Sequence, residues 1–361
     1  MMSVSSGKKI IIIDILQILQ KYTDEDHKLT QQQIIEKLQE DYDLTVDRGA
    51  IKRNLAELIE AGYNIQFTEI TRAQKNRRTG EIEENSIYTD IYYEHDFTEP
   101  ELHFIIDGLL FSRSVPYKQR KHLIDKLGKL SNVYFNKKMN HIHCMSENAP
   151  QNRELFHTIE VLDEAISHNK QVEITYNQYG TDLKLHPTQD SDGKSIKRHT
   201  LNPYQIVAKD GRYYLICNND HHEAVGSYRV DRITNIKLLD KEAKPRKKVK
   251  GLENGLNLQN HIYQNIDMFV GEIVDVEFLI DRSLVGVIVD FFGTNISFHE
   301  NDGDIIKCCI KASFPSIKRW AVMFANIAKV ISPQNLVDEI KKEIEKSALN
   351  YEMHVEDWSG K

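Results

Sequence analysis

The stretch Arg198-His199-Thr200-Leu201-Asn202-Pro203-Tyr204-Gln205-Ile206-Val207-Ala208-Lys209-Asp210-Gly211-Arg212-Tyr213-Tyr214-Leu215-Ile216-Cys217, followed after a polar turn by Gly226-Ser227-Tyr228-Arg229-Val230-Asp231-Arg232-Ile233, decides how the rest of the chain is read. Asp210-Gly211 separates two apolar runs, residues 205–208 and 213–217. Asp-Gly between such runs predicts a hairpin, because both central positions of a type I′ turn need positive φ. Asn218, Asn219 and Asp220 make a further polar turn into a third strand expected over residues 224–230. The resulting meander carries Arg198, Arg212, Arg229 and Arg232 together with Tyr204, Tyr213, Tyr214 and Tyr228. Arginine offers a planar fork of donors suited to phosphate, and tyrosine a stacking face with a hydroxyl. Two readings are open: a pocket for a nucleotide or a single strand, or tyrosines in the core with arginines at solvated edges.

Pro203-Tyr204, Gly211-Arg212-Tyr213-Tyr214-Leu215 and Tyr228-Arg229-Val230-Asp231-Arg232-Ile233 resemble the WYL domain of bacterial transcriptional regulators. The family's name-giving Trp-Tyr-Leu stands here as Tyr213-Tyr214-Leu215, and its Arg-Leu-Asp-Arg-Ile as Arg229-Val230-Asp231-Arg232-Ile233. The resemblance implies an Sm-like β-barrel whose basic face senses a ligand, in some members single-stranded nucleic acid. Arg198, Tyr204, Tyr214, Arg229 and Arg232 are the expected ligand-binding residues.

A chain of 361 residues is long enough for two or three domains. Hydrophobic content of 40% and charged content of 28% are those of a globular protein. The formal net charge of -7 means that any nucleic-acid surface must be local. No apolar run approaches the roughly 18 residues of a membrane span, and Ile10 to Ile13 is broken by Asp14, unlike a signal peptide. Four cysteines without a regular framework point to a reducing cytoplasm.

Towards the N-terminus, helices are expected over residues 8–22, from Thr30 with Gln33 as a capping box, and from Asp47 as N-cap to Gly62. Three short helices with tight turns match a helix-turn-helix. Residues 63–71 and 87–93 read as strands, and the connection between them is rich in Lys and Arg, as a wing is. The third helix resembles the recognition helix of the DeoR-like winged helix, with Gly49 and Ala50 in place of larger or polar residues. Expected DNA contacts are Arg48, Lys52 and Arg53 on that helix and Arg72, Lys75, Arg77 and Arg78 on the wing. Residues 1–95 nonetheless hold 12 Lys and Arg against 17 Asp and Glu, so binding would rest on one face.

Thr98 and Glu101 form another capping box, and helices are expected over 100–114 and 116–130, resembling the helical linker of such regulators. Residues 132–151 are polar and form the best boundary. His141-Ile142-His143-Cys144 lacks a second cluster and is weak as a metal site. A helix over 156–168 and a strand over 171–179 lead into the meander. The basic run 241–250 reads as a linker. Beyond it, strands over 274–280 and 305–312 and helices over 284–291, 317–328 and 335–350 resemble the WCX extension that follows WYL domains, with Trp320, Phe324 and residues 330–336 as the cues. That implies a ferredoxin-like fold with a part in dimerisation.

The expected fold class is therefore α+β multidomain: a winged helix-turn-helix over 1–95, a helical linker over 96–150, the WYL domain over 151–250 and the WCX extension over 251–361. The expected function is a ligand-responsive, homodimeric, DNA-binding transcriptional regulator that holds a double-stranded operator and senses a single-stranded nucleic acid or nucleotide. The alternative is a nucleic-acid-binding accessory protein of a defence or DNA-repair effector. No phosphate loop, metal framework or nucleophile motif is found, so neither catalysis nor a cofactor is expected.

Overall fold

The computed structural model describes residues 10–75, 82–139, 152–190, 192–253, 255, 258–299 and 303–353. The chain is a mixed α+β protein that divides into two compact units, Met1–Ala149 and Pro150–Lys361. The expected divisions near residues 95 and 250 fall inside these units.

In the first unit α1 (Ile11–Tyr22), α2 (Gln31–Tyr42) and α3 (Arg48–Glu60) precede an antiparallel ribbon of β1 (Ile65–Lys75) and β2 (Ile82–Tyr93). Ile15, Ile18 and Leu19 of α1 meet Ile34 and Leu38 of α2 and Ile51, Leu55 and Leu58 of α3. These are the i, i+3, i+4 and i+7 positions that fold one face of each helix inward. Thr30 and Gln33 cap α2 reciprocally, and Asp47 accepts the Ala50 N–H at 2.8 Å at the start of α3. Gly62, at φ 90°, turns the chain out of α3 where a side chain would be strained. The ribbon is longer than expected, so Arg72 and Lys75 belong to β1 rather than to the connection.

Three further helices follow: α4 (Glu99–Phe111), α5 (Tyr117–Gly128) and α6 (Val133–Met139). Leu102 and Ile106 of α4 pack on Phe135 of α6. Arg120 is buried and its Nη1 donates to the carbonyls of Leu110 and Ser112, both at 3.1 Å, closing the end of α4. The segment read as a polar boundary thus begins with α6. Asn132 donates to Asp24 at 2.7 Å and Tyr134 stacks on His27 with centroids 3.6 Å apart, which fastens α6 to the turn between α1 and α2.

The second unit opens with α7 (Leu155–Ser167) and an antiparallel sheet of β3 (Lys170–Tyr179), β4 (Leu185–Pro187), β5 (Arg198–Lys209), β6 (Arg212–Asn219), β7 (Gly226–Arg229) and β8 (Ile233–Glu242). The order is β4-β3-β5-β6-β7, with β8 paired to β3. Asp210 and Gly211 have φ of 50° and 74°, the positive pair that the hairpin requires. Asn202 ties the strands together: its side chain donates to Asp220 at 2.8 Å and accepts from Gln171 at 2.8 Å and from the Lys244 N–H at 2.9 Å.

The chain continues through α8 (Leu258–Gln264), β9 (Ile273–Asp281), α9 (Val285–Phe292), β10 (Ile296–His299), β11 (Ile305–Ser313), α10 (Phe314–Met323), β12 (Ala328–Ser332) and α11 (Gln334–Asn350). The second sheet is antiparallel in the order β10-β11-β9-β12, a βαββαβ arrangement around Phe278, Phe292 and Trp320. The helix expected over 317–328 ends at Met323. Ala328, the last residue of that expected helix, instead pairs with Ile280 of β9, and Val330 beyond it pairs with Phe278, so the tertiary pairing decides the conformation.

One core mixes residues from both halves of this unit. Tyr204, Val207, Tyr214 and Ile216 pack with Val249, Leu252 and Met268, and with the half-buried Val270. The Lys209 ammonium donates to the carbonyls of Ile262 at 2.9 Å and Asn265 at 3.1 Å, at the C-terminal end of α8. A cation satisfies such exposed carbonyls well. Burial pulls the Lys209 pKa below its ordinary value.

Candidate functional site

The arginines and tyrosines of the meander do not all meet. Tyr214 on β6 lies opposite Arg229 on β7 in the strand register, so the two side chains share a face. The Arg229 guanidinium forms a planar two-bond pair with Asp231, Nε to Oδ1 at 3.0 Å and Nη2 to Oδ2 at 2.6 Å. Asp231 sits in a 3-10 turn, Val230–Arg232, that reverses the chain directly after β7 and brings residue 231 back towards residue 229. The Arg232 guanidinium lies 5.3 Å from the centre of the Tyr179 ring. The Tyr176 hydroxyl accepts the Arg229 backbone N–H at 3.3 Å. Tyr176 meets Tyr228 edge-on, with centroids 4.9 Å apart, and Tyr228 meets His199 at 5.8 Å.

This arrangement is half-buried, which sets its electrostatics. Burial works against the charged form of Arg229, but the bonds to Asp231 outweigh it and leave the pKa raised. Burial pushes the Tyr176 pKa up and the Tyr228 pKa up to about 12, so both phenols stay protonated. Burial, helped by Lys197, lowers the pKa of His199. The buried Nε of Arg212, Nε of Arg232 and Nε2 of His199 have no hydrogen-bond partner among the described residues. The two unmatched arginine donors are costly unless an acceptor arrives. A phosphate or carboxylate supplies such an acceptor.

Two of the five expected ligand residues stand apart. Arg198 opens β5, is 59% exposed and pairs with Glu173 at 2.6 Å. Tyr204 is a core residue: its hydroxyl donates to the Lys244 carbonyl at 2.8 Å and Arg246 stacks over its ring at 5.8 Å. Tyr214 is also largely buried, with its ring in the same core and its register partner at the site. Sequence reasoning passed over Tyr176, Tyr179, His199 and Asp231. The spacing Arg229-Val230-Asp231 was the available signal for the last.

On the first unit, Arg53 is exposed near the start of α3. Arg48 is exposed too and donates to Gln32 Oε1, 3.0 Å from Nη2. Lys52 is turned towards the ribbon: its ammonium donates to the Ser86 carbonyl at 2.6 Å and hydroxyl at 2.9 Å, and lies 4.9 Å from the Tyr88 ring centre. It is a bolt between α3 and β2. Arg72 and Lys75 lie on β1. Arg77 and Arg78 lie outside the described residues, as do His141, His143 and Cys144.

A further concavity of about 600 Å³ lies in the second half of the other unit, against Tyr263 of α8 and the outer face of the second sheet. Its two carboxylates are paired locally, Glu277 with Lys307 at 3.2 Å and Asp275 with Lys311 at 3.5 Å. Among the described residues no group of three or more His, Cys, Asp or Glu is placed to hold a metal, and no helix is long and apolar enough to cross a membrane.

Residues 157–238 match the family model of the WYL domain, from α7 through most of β8. The chain therefore carries a WYL domain, and the cluster around Arg229 lies within it. No curated protein matches the chain. Among solved structures, it is similar to proteasome accessory factor B/C (PafBC) of Arthrobacter aurescens, at 13% identity and a TM-score of 0.27 over 96% of this chain and 49% of that one. It is also similar to a protein described as CRISPR Cas-related, at 15% identity and a TM-score of 0.37 over 98% of this chain and 88% of that one. The chain spans about half the length of the PafBC structure.

Proposed function

We propose that this protein is a ligand-responsive, cytoplasmic bacterial transcriptional regulator that binds a double-stranded operator as a homodimer and has no catalytic activity. In this reading the three helices and ribbon of the first unit are a winged helix-turn-helix, and α4 to α6 are its helical linker. The sheet β3 to β8 is an Sm-like sensor barrel, and β9 to α11 form a ferredoxin-like extension. The observation that carries the reading is the meeting of Arg229 and Arg232 with Tyr176 and the exposed Tyr179 inside a WYL domain, with the buried Tyr214 opposite Arg229 in register. The guanidinium groups suit phosphates and the rings suit bases, so the proposed ligand is a single-stranded nucleic acid or a nucleotide. To act as a switch, the ligand must bind one arrangement of the dimer better than another.

A second reading is an accessory protein that binds single strands without reading an operator. It is favoured by the engagement of Lys52 with the ribbon and by Gly49 and Ala50 on the exposed start of α3. Fluorescence anisotropy separates the two, with the duplex upstream of the protein's own gene and a short single strand as probes at two salt concentrations. Competitor-resistant duplex binding that Arg53→Ala weakens supports the regulator. Binding of the single strand alone, lost in Arg229→Ala, selects the accessory protein. If neither probe binds, the nucleic-acid reading fails.

A further inference from the structure

The outer face of α4 is apolar and, among the described residues, uncovered. Phe104 is 81% exposed and Phe111 79% exposed, and Phe97 and Ile105 are more than one-third exposed beside them. Residues 104, 108 and 111 lie three and four apart, on one stripe of the helix. The stripe is interrupted by Gly108, where an added Cβ would meet nothing within 4 Å. An open apolar depression lies at the N-terminal half, lined by Phe97, Pro100, Glu101, Phe104 and Ile105. Single monomers seldom leave such a patch to solvent.

We propose that α4 is the surface through which two copies of this chain pair, antiparallel about a two-fold axis close to Gly108. The stripe is complementary to itself in that orientation. Phe111 of one copy is the knob, and Glu101, Phe104, Ile105 and Gly108 of the other are the four corners of the hole, at the i, i+3, i+4 and i+7 positions of knob-into-hole packing. The two-fold forms the same contact twice, as a closed dimer requires. Gly108 lets the helices approach near the axis. Charge points the same way: Glu101 lies in the first turn of α4 with no cation paired to it among the described residues, Glu99 being matched by Lys138 at 2.7 Å, and the exposed Arg113 follows the last turn. An antiparallel pair sets acidic ends against basic ends and opposes the helix dipoles, whereas a parallel pair sets like against like. Burying Phe104 and Phe111 in both copies removes roughly several hundred Å² of apolar surface, a substantial part of the about 1,200–2,000 Å² of a stable interface.

The inference deepens the homodimer reading by giving it a surface, and its test uses no nucleic acid. Gly108→Cys is introduced into the full chain and cross-linked by mild oxidation or a short bismaleimide. The unaltered chain and Lys118→Cys, on the exposed face of α5, serve as controls. A band at twice the 42.0 kDa chain mass is expected from Gly108→Cys and from neither control. Adding Phe111→Asp should cut its yield at least about tenfold, since aromatic anchors dominate small interfaces, while circular dichroism stays unchanged because Phe111 lies outside the core. No band from Gly108→Cys, or a band of undiminished yield with Phe111→Asp, overturns the proposal. If the unaltered chain fails to bind the duplex in the separate anisotropy assay while the Gly108→Cys band forms and falls with Phe111→Asp, the regulator is refuted and the pairing stands.

Discussion

Replacing Asp231 with asparagine tests whether the Arg229 fork is held by its neighbour or by solvent. The side chains of Arg229 and Asp231 are only 19% and 8% exposed, so Asp231→Asn leaves a largely desolvated guanidinium without its counter-charge. Removing one partner of a fully buried pair costs about 3–5 kcal/mol. Here the asparagine amide keeps one acceptor and Arg229 keeps some water, so the cost is nearer that of one charged hydrogen bond, about 2 kcal/mol. In a unit the size of Pro150–Lys361, each kcal/mol moves Tm by roughly 2–4 °C, which gives a fall of about 4–8 °C. Differential scanning calorimetry at low salt reads it. A short single strand should then restore more of the lost Tm in the variant than it adds to the native protein, because the freed fork binds phosphate more tightly and binding to the folded state stabilises it. A fall below about 1 °C would show that the pair is solvated and positions nothing. An equal gain from the ligand in both proteins would refute the link between Arg229 and phosphate.

Three other perturbations bear on different parts of the chain. Arg53→Ala should weaken duplex binding at every sequence and lower the slope of log affinity against log salt by about 1, whereas Lys52→Met should mainly destabilise the first unit, by about 1 kcal/mol, in thermal melts; a larger salt effect from Lys52 would overturn its assignment as a bolt. Asp220 is held down to about 2, from an ordinary 3.8, by bonds from Asn202, then Lys241 and Gln171. A depressed carboxylate stabilises the fold above its unfolded value, and this contribution disappears as pH falls from 3.8 through about 2. The difference in urea midpoint between the native protein and Asp220→Asn should therefore be present at neutral pH and shrink at pH 3; an unchanged difference would show that the charge contributes nothing.

The parts of the fold that local chemistry specifies could be read before any coordinates. Asp210-Gly211 names its turn because few other pairs tolerate two positive φ angles. Thr30 with Gln33 and Thr98 with Glu101 name their helices because each box satisfies two backbone donors within four residues. What depends on distant partners was not legible. α6 is only seven residues long and depends on Phe135 packing against Leu102 and Ile106 and on Asn132 and Tyr134 reaching Asp24 and His27. β12 carried no strand expectation, its first residue Ala328 being read as the end of a helix, and it becomes a strand by pairing with β9. At the site, five side chains chosen by residue type were sorted by geometry: register put Tyr214 beside Arg229, burial took Tyr204 into the core, and Glu173 claimed Arg198. The 3-10 turn after β7, which makes Asp231 the partner of Arg229, has no signature beyond the order of the residues themselves.

The core that holds Tyr204 and Tyr214 is completed by Val249, Leu252 and Met268. A transplant of the sensing sheet into another protein, if cut where the family match ends at residue 238, would carry an open seam of aromatic side chains and lose the floor under the register partner of Arg229. The portable piece runs through Val270, and any chimera that keeps this sheet inherits the segment between β8 and β9 with it. Swapping sensors between relatives is thus a matter of exchanging the sheet and its closing strap together, with the splice placed between Val270 and β9.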